Sequence, residues 1–238
     1  MYSQYLDGVI SLLQRLRDTQ GEAIGKAAAL VAASIEGGGM VYALGSGHSQ
    51  LLALEIQGRA GGLYPVVQIM DPLWGRAERV EGYGKVLLQG LPFKAGEAMF
   101  VISNSGRNPQ PVDVALRARE LGLRVIAVTS LVHTQGVASR HSSGKRLFEL
   151  ADVVLDTGTP PGDASLSIPG LAVRTGPVST TLGAALMNAV MVEAVQKLVE
   201  RGVAPPVLMS SNLDGGDAHN AELVTRYGPL KSAFGLHL

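Results

Sequence analysis

The strongest constraint on this chain is the regular return of short, unbroken apolar runs, each followed by a polar or glycine-bearing stretch. "MVYALGS" (residues 40–46), "YPVVQIM" (64–70), "MFVIS" (99–103), "RVIAVTS" (124–130) and "DVVLD" (152–156) are strand-length and lack in-and-out alternation. Strands that are apolar on both faces belong in a parallel sheet covered by helices on both sides. Helical spacing fills the intervals, from about Pro109 to Leu121 and along a mostly apolar run ending near Arg201. Right-handed crossovers leave few arrangements of five such strands, and the flavodoxin-like order 2-1-3-4-5 is the commonest. The expectation is a three-layer α/β/α fold around a five-stranded parallel sheet.

Ahead of the sheet, Leu6, Val9, Ile10, Leu13, Leu16, Ile24, Ala27, Ala28 and Val31 recur at helical spacing until Gly37-Gly38-Gly39. These are extra N-terminal helices beyond what the sheet needs. The chain therefore divides into an N-terminal helical segment (1–36), the sheet domain (37–202) and a tail (203–238) that completes the site or the oligomer. The tail changes character at Pro205-Pro206 and runs into the turn-forming "SSNLDGGDAHN". Ala184, Ala185, Val190, Val192 and Val195 lie on more than one face of the last long helix, which points to burial in a core or at a subunit contact. A homodimer or dimer of dimers is expected, with the ligand cleft near the interface.

Across 238 residues the 20 basic and 20 acidic side chains balance, and aromatic residues make up only 5%. Nucleic acid is disfavoured as a partner, because there is neither a basic block nor a stacking surface. No apolar stretch approaches the ~18 residues that span a membrane, and the N-terminus, with Asp7 among its apolar residues, does not read as a secretion signal. A cytoplasmic protein without a membrane partner is expected. Cysteine is absent, so thiol chemistry is unavailable.

In the order 2-1-3-4-5 the switch point lies between strands one and three, where ligands bind beyond the carboxyl ends. The loops there hold Ser46, Gly47, His48 and Ser49 on one side, and Ser103, Asn104, Ser105, Gly106 and Asn108 on the other. Hydroxyl donors, a glycine that admits close approach and a helix N-terminus together suit an anion such as phosphate. The same Ser and Asn residues also read as ordinary helix caps. No Walker lysine follows, so a nucleoside triphosphate is not indicated. Gly45-x-Gly47 with Asp71 partly imitates a dinucleotide fingerprint, but Gln50 stands where the third glycine belongs. No cofactor is expected.

"GSGHSQLLALEIQGRAGGL" and "VISNSGRNPQPVDVALRARELGLRVIAVTS" resemble the two phosphate loops of the sugar isomerase (SIS) domain family. "HSSGKRLFELADVVLD" and "GPVSTTLGAALMNAVMVEAV" extend the resemblance through residues 41–199, and the "DGGDAHN" tail is similar to a stand-alone, phosphoheptose-isomerase-like branch. The chain departs from the family where Asn108 and Gln110 replace a Thr and a Glu of the second loop. It departs again where Glu55 and Arg59 fall on the metal-binding His and catalytic Glu places of phosphoheptose isomerases.

The resemblance implies a sugar-phosphate ligand and an aldose–ketose isomerisation through an enediolate. That reaction needs a base to carry a proton between two carbons, and a group to polarise the carbonyl and open the ring. Candidate bases are Glu55, Glu78 and Glu81. Glu55 with Arg59 also reads as a plain i,i+4 ion pair, and Glu78 with Glu81 as a charged turn. His219, beside Asp217 in the tail, is the candidate for ring opening, by entering a neighbouring subunit's cleft. It reads equally as an exposed turn, and a lone His with nearby carboxylates is no metal-ligand set, so no metal is expected. His133, His141 and His237 are assigned to structure or surface. A non-catalytic phosphosugar sensor, and a lyase or deaminase of the same fold, remain alternatives.

Overall fold

The computed structural model describes residues 1–234; His237 lies outside the described residues. Five strands, β1 (Val41–Gly45), β2 (Val66–Gln68), β3 (Ala98–Ile102), β4 (Arg124–Thr129) and β5 (Val153–Asp156), form one parallel sheet in the order β2-β1-β3-β4-β5. Strand β1 lies at the crossing point of the topology, with Val41 opposite Val66 on one side and Ala98 on the other.

Alternate side chains feed two separate cores. Val41, Ala43, Phe100, Ile102, Ile126 and Val128 face α1 (Tyr2–Thr19), α2 (Gly21–Glu36), α3 (Gln50–Glu55) and α7 (Ser179–Glu200). Tyr42, Leu44, Met99, Val101, Val125 and Ala127 face α5 (Pro109–Glu120) and α8 (Gly216–Ser232). Both strand faces are dry, which is why these runs carry no polar alternation. A fully buried Val, Ile, Leu, Met or Phe side chain contributes ~1.5–3 kcal/mol, so the strands and the helices that cover them both stabilise the fold.

The N-terminal apolar pattern is divided into two helices at Gln20, whose side-chain oxygen accepts a hydrogen bond from the Asp156 amide at 3.0 Å. Some short elements were not marked by any periodicity in the sequence. Strands β6 (Ala164–Leu166) and β7 (Thr175–Pro177) pair antiparallel and lead into α7, while α4 (Tyr83–Leu87) and α6 (Leu131–Gln135) are little more than single turns. The tail is also more ordered than its turn-forming residues suggest. Leu63 bridges Val207, Tyr64 N donates to Pro206 O at 2.8 Å, and α8 then buries Tyr227 against Tyr64.

Helix α7 corrects one expectation. Its 22 residues are long and apolar enough to cross a membrane, with a mean hydropathy of 1.4 over the most apolar window. Here its inner face, with Leu182, Leu186, Met187, Val190 and Ala194, is buried in the first core and packs along α2. Val192 and Val199 remain exposed on its outer face.

Candidate functional site

Strand β1 turns abruptly into the first loop because Gly45 has no side chain: a Cβ there would run into the Ser49 carbonyl. The chain makes one 3-10 turn, Gly47–Ser49, and continues as α3. Gln50 is buried, and its side-chain oxygen accepts the Asp71 amide at 2.9 Å. The residue that interrupts the glycine fingerprint thus ties the first helix to the end of β2.

The second loop leaves β3 at Ser103 and reaches α5 at Pro109. Gly106 sits at φ +58°, and a Cβ there would lie 3.1 Å from both the Thr129 and Thr134 hydroxyls. Ser103 Oγ accepts the Gly106 amide at 3.2 Å, while Asn104 O accepts from Ser130 N at 3.0 Å and Thr129 Oγ1 at 3.2 Å. Asn108 is the residue before α5, yet its side chain does not cap the helix. Its Oδ1 instead accepts from Arg140 Nη1 at 3.0 Å. Buried Asn104 Oδ1 has no hydrogen-bond partner among the described residues.

The connection after β2 is organised by Asp71, which is fully buried. Its two oxygens accept from Leu73 N at 3.0 Å, Gly75 N at 2.8 Å, Tyr83 Oη at 2.7 Å and Gln110 Nε2 at 3.1 Å. Burial alone would raise its pKa, but these bonds outweigh burial and hold the carboxyl below its ordinary value. Tyr83 moves the other way, pushed up to about 12 by burial and by the bond to Asp71. A carboxylate with four donors has no lone pair left for a ribose hydroxyl, so Asp71 cannot serve as the acidic residue of a dinucleotide fingerprint.

Folded this way, the connection brings Glu78 to the first loop, where Ser46 Oγ donates to Glu78 Oε2 at 3.3 Å. Glu81 is turned elsewhere. It accepts both the hydroxyl and the amide of Ser142, bonds that lower its pKa, and it stands 3.6 Å from His141 Nε2. His141 is buried between Asp113, at 3.2 Å from Nε2, and Ser143, whose amide donates to Nδ1 at 3.0 Å. Those partners hold the ring in place.

Between the two loops opens a small cleft of about 30 Å³ lined by His48, Ser49, Leu52, Ile102, Asn104, Val128, Thr157, Ser179 and Thr180. Leu52 and Thr180 also line a neighbouring groove of about 500 Å³ that contains Glu55 and Arg59. Glu55 Oε1 accepts from Arg59 Nη1 and, from α7, Asn188 Nδ2 at 3.0 Å. His219, on the first turn of α8, has its Nε2 2.8 Å from Val207 O, to which it donates, and is not among the residues lining the cleft. Among the described residues, no group of three or more His, Asp or Glu side chains could hold a metal ion.

Sequence reasoning missed Thr157, Ser179 and Thr180. Asp163 sets the start of α7, its Oδ1 accepting Val178 N at 2.9 Å and Ser179 N at 2.7 Å while its Oδ2 accepts Ser179 Oγ at 2.8 Å. The run "VSTT" at the head of a helix was the available signal.

Residues 4–130 match the family model of the SIS domain. The chain is 42% identical to a UPF0309 protein of Streptomyces coelicolor over 94% of both chains. It is 43% identical to a UPF0309 protein of Listeria monocytogenes over 94% of this chain and 95% of that one. Among solved structures it is similar in fold to a phosphoheptose isomerase from Francisella tularensis, with a TM-score of 0.56 and 16% identity over 81% of this chain and 96% of that one. It is also similar to the Vibrio vulnificus NanR protein complexed with ManNAc-6P, with a TM-score of 0.53 and 14% identity over 94% of this chain and 68% of that one.

Proposed function

We propose that this chain, which belongs to the SIS domain family, binds a sugar phosphate between its two serine loops and isomerises it between aldose and ketose forms. The observation that carries the reading is the cleft itself: two hydroxyl-bearing loops meet at the switch point, and a carboxylate groove adjoins them. Ser103, Asn104, Ser105, Gly106 and Asn108 hold the phosphate at the N-terminus of α5, with Ser46, Gly47, His48 and Ser49 on the sugar side. Neutral donors of this kind contribute ~1.5–3 kcal/mol each to a charged acceptor, enough for useful affinity when three or four converge. The fold neighbour complexed with ManNAc-6P is in keeping with such a ligand.

Of the three candidate bases, Glu55 has the best support. It opens on a groove that shares Leu52 and Thr180 with the cleft, and Arg59 Nη1 and Asn188 Nδ2 both donate to its Oε1 and hold the carboxylate in place. Its carboxylate takes the proton from carbon two of an aldose, the electron pair moves into the enediolate, and the proton returns to carbon one. Glu78 fastens Ser46 and Glu81 fastens the segment around Ser142. His48 lines the cleft, which supports it for ring opening over His219, bound to its own chain at Val207. Exposed Leu6 and Ile10 on α1 and Val192 on α7 support a homodimer or dimer of dimers, acting in the cytoplasm.

The test is a thermal-shift panel of sugar phosphates, with the unphosphorylated sugars as controls, followed by product analysis. A ligand at ~100 times its dissociation constant adds ~2.7 kcal/mol, a rise of several degrees. The phosphorylated sugars alone should shift the protein, and the strongest of them should be converted. Binding without conversion of any sugar would leave a phosphosugar sensor; a shift with a dinucleotide alone would end the phosphosugar reading.

A further inference from the structure

Part of the cleft wall comes from beyond the two loops, at the end of β5 and the start of α7, and its hydroxyl protons are already assigned. Asp163 reaches the head of α7 from outside the helix. It accepts Val178 N at 2.9 Å and Ser179 N at 2.7 Å through Oδ1, and Ser179 Oγ at 2.8 Å through Oδ2. A carboxylate only accepts, so the single hydroxyl proton of Ser179 points at Asp163 and its lone pairs are what remain. Towards the cleft, Ser179 is therefore an acceptor.

Thr157 is in the complementary state. Its Oγ1 accepts from Thr159 Oγ1 at 2.9 Å and from Thr159 N at 3.3 Å. Thr159 is fully buried, and Thr157 is the partner its hydroxyl finds among the described residues, so the Thr159 proton is committed there. With both lone pairs of Thr157 occupied, its own proton is the group left for the cleft. The same small recess, of about 30 Å³, thus receives one acceptor and one donor.

That volume admits about one or two water-sized groups, not a sugar ring. Leu52, Ile102 and Val128 give the recess an apolar side that disfavours a charge. Leu52 and Thr180 continue into the groove of about 500 Å³, where the body of a sugar has room. Among the groups a sugar carries, a hydroxyl both gives and takes a hydrogen bond, whereas a protonated amine only gives and a carbonyl oxygen only takes. The wall is also braced. Asp163 sits at φ +71°, in the left-handed region, and Pro177 O, just ahead of α7, accepts from Tyr5 Oη of α1 at 2.7 Å.

We propose that Ser179 and Thr157 read one hydroxyl of the sugar, Ser179 accepting its proton and Thr157 donating to its oxygen, with Asp163 and Thr159 as the positioning residues that fix these two states. This rests on the phosphosugar reading above and adds how the sugar, as distinct from its phosphate, is recognised. A pair that needs both a donor and an acceptor rejects an analogue lacking either, because a polar group of the wall is then left unmet. Asp163 also meets the first N–H groups of α7, so that helix end does not compete for the phosphate with α5, whose start has no side-chain cap.

The experiment is calorimetric titration of the whole chain with inorganic phosphate, with glucose 6-phosphate and fructose 6-phosphate, and with their analogues in which each hydroxyl in turn becomes fluorine, which cannot donate. In wild type, one position of the fluorine series should lose about tenfold in affinity and the others less. Ser179→Ala should bind the parent sugar phosphates about tenfold more weakly, bind inorganic phosphate as wild type does, and lose nothing further at that position. In Asp163→Asn the side-chain amide donates to Ser179 Oγ and releases the Ser179 proton into the recess. The fluorine penalty should then shrink, which a mere loosening of the wall would not produce. Asparagine tolerates a positive φ, so this variant should fold as wild type does. The same fluorine penalty in wild type, Ser179→Ala and Asp163→Asn overturns the hydroxyl pair, and so does equal loss of inorganic phosphate and sugar phosphate in Ser179→Ala. A wild type that binds phosphate with no gain from either sugar overturns the pair and leaves the phosphate loop standing. Absence of binding by phosphate and by both sugar phosphates overturns the pair and the phosphosugar reading together.

Discussion

Asn188 on α7 donates to Glu55 on α3, Nδ2 to Oε1 at 3.0 Å, joining positions 133 residues apart. Arg59 bonds the same oxygen from one turn further along, so among the described residues Oε2 keeps its lone pairs. Glu55→Gln should cut turnover by ~10²–10⁴-fold, the usual contribution of a general base, with sugar-phosphate affinity little changed. Asn188→Ala should cost less, and nothing further when Glu55 is already Gln. Steady-state kinetics on the single and double variants checks both, and full turnover in Glu55→Gln removes it as the base.

Ser105 stands in the second loop between Asn104, which lines the cleft, and Gly106, which makes its close turn. Ser105→Ala should therefore weaken sugar-phosphate binding about tenfold, the scale of one hydrogen bond to a charged group, without lowering the melting temperature of the free protein. Titration curves that superimpose on those of wild type would take this serine out of the phosphate site.

His48 and His219 separate two accounts of ring opening. His48 is exposed in the cleft, while His219 is bonded to Val207. His48→Ala should lower turnover of ring-closed sugars more than of sugars that stay open, and His219→Ala should leave both close to wild type. The reverse pattern would return the role to the tail.

Lys231 is buried against the ring of Tyr64, its Nζ 4.2 Å from the centroid, and burial lowers its pKa to about 8. In the unfolded chain the group titrates near its ordinary 10.5. Between about pH 8 and 10.5 the unfolded state binds more protons, so stability rises with pH across that window. Below it both states are charged and the burial penalty is felt in full. Lys231→Met should stabilise the protein at pH 7 by about 2–3 kcal/mol and lose most of that advantage above pH 10.5. Denaturant curves at the two pH values read this directly.

The parallel sheet was legible because both faces of each strand are buried, and a run of short, continuously apolar segments fits little else. The switch-point loops followed from the strand order alone. Helix α8 was hidden by the glycines and aspartates at its start and by Pro229 within it, which break the helical pattern that packing of Tyr227 restores. Thr157, Ser179 and Thr180 line the cleft from beyond β5, and nothing local marks them as neighbours of His48. Asp71 read as a possible ribose ligand, and only its four hydrogen-bond donors reveal that it is already satisfied.

The pairing of Gly61 and Tyr64 with the stretch from Pro206 to Leu208, and the bond from Asp156 to Gln20, lie at opposite borders of the sheet. An open parallel sheet ends in rows of unmet backbone groups, which are templates for fibrous self-association. Here the chain shields each border with a segment from one of its own termini. A protease that clipped the tail near Pro206 would do more than shorten the molecule: it would bare the border beside β2 together with the apolar surface under Tyr227. Aggregation is the failure such a cut would produce.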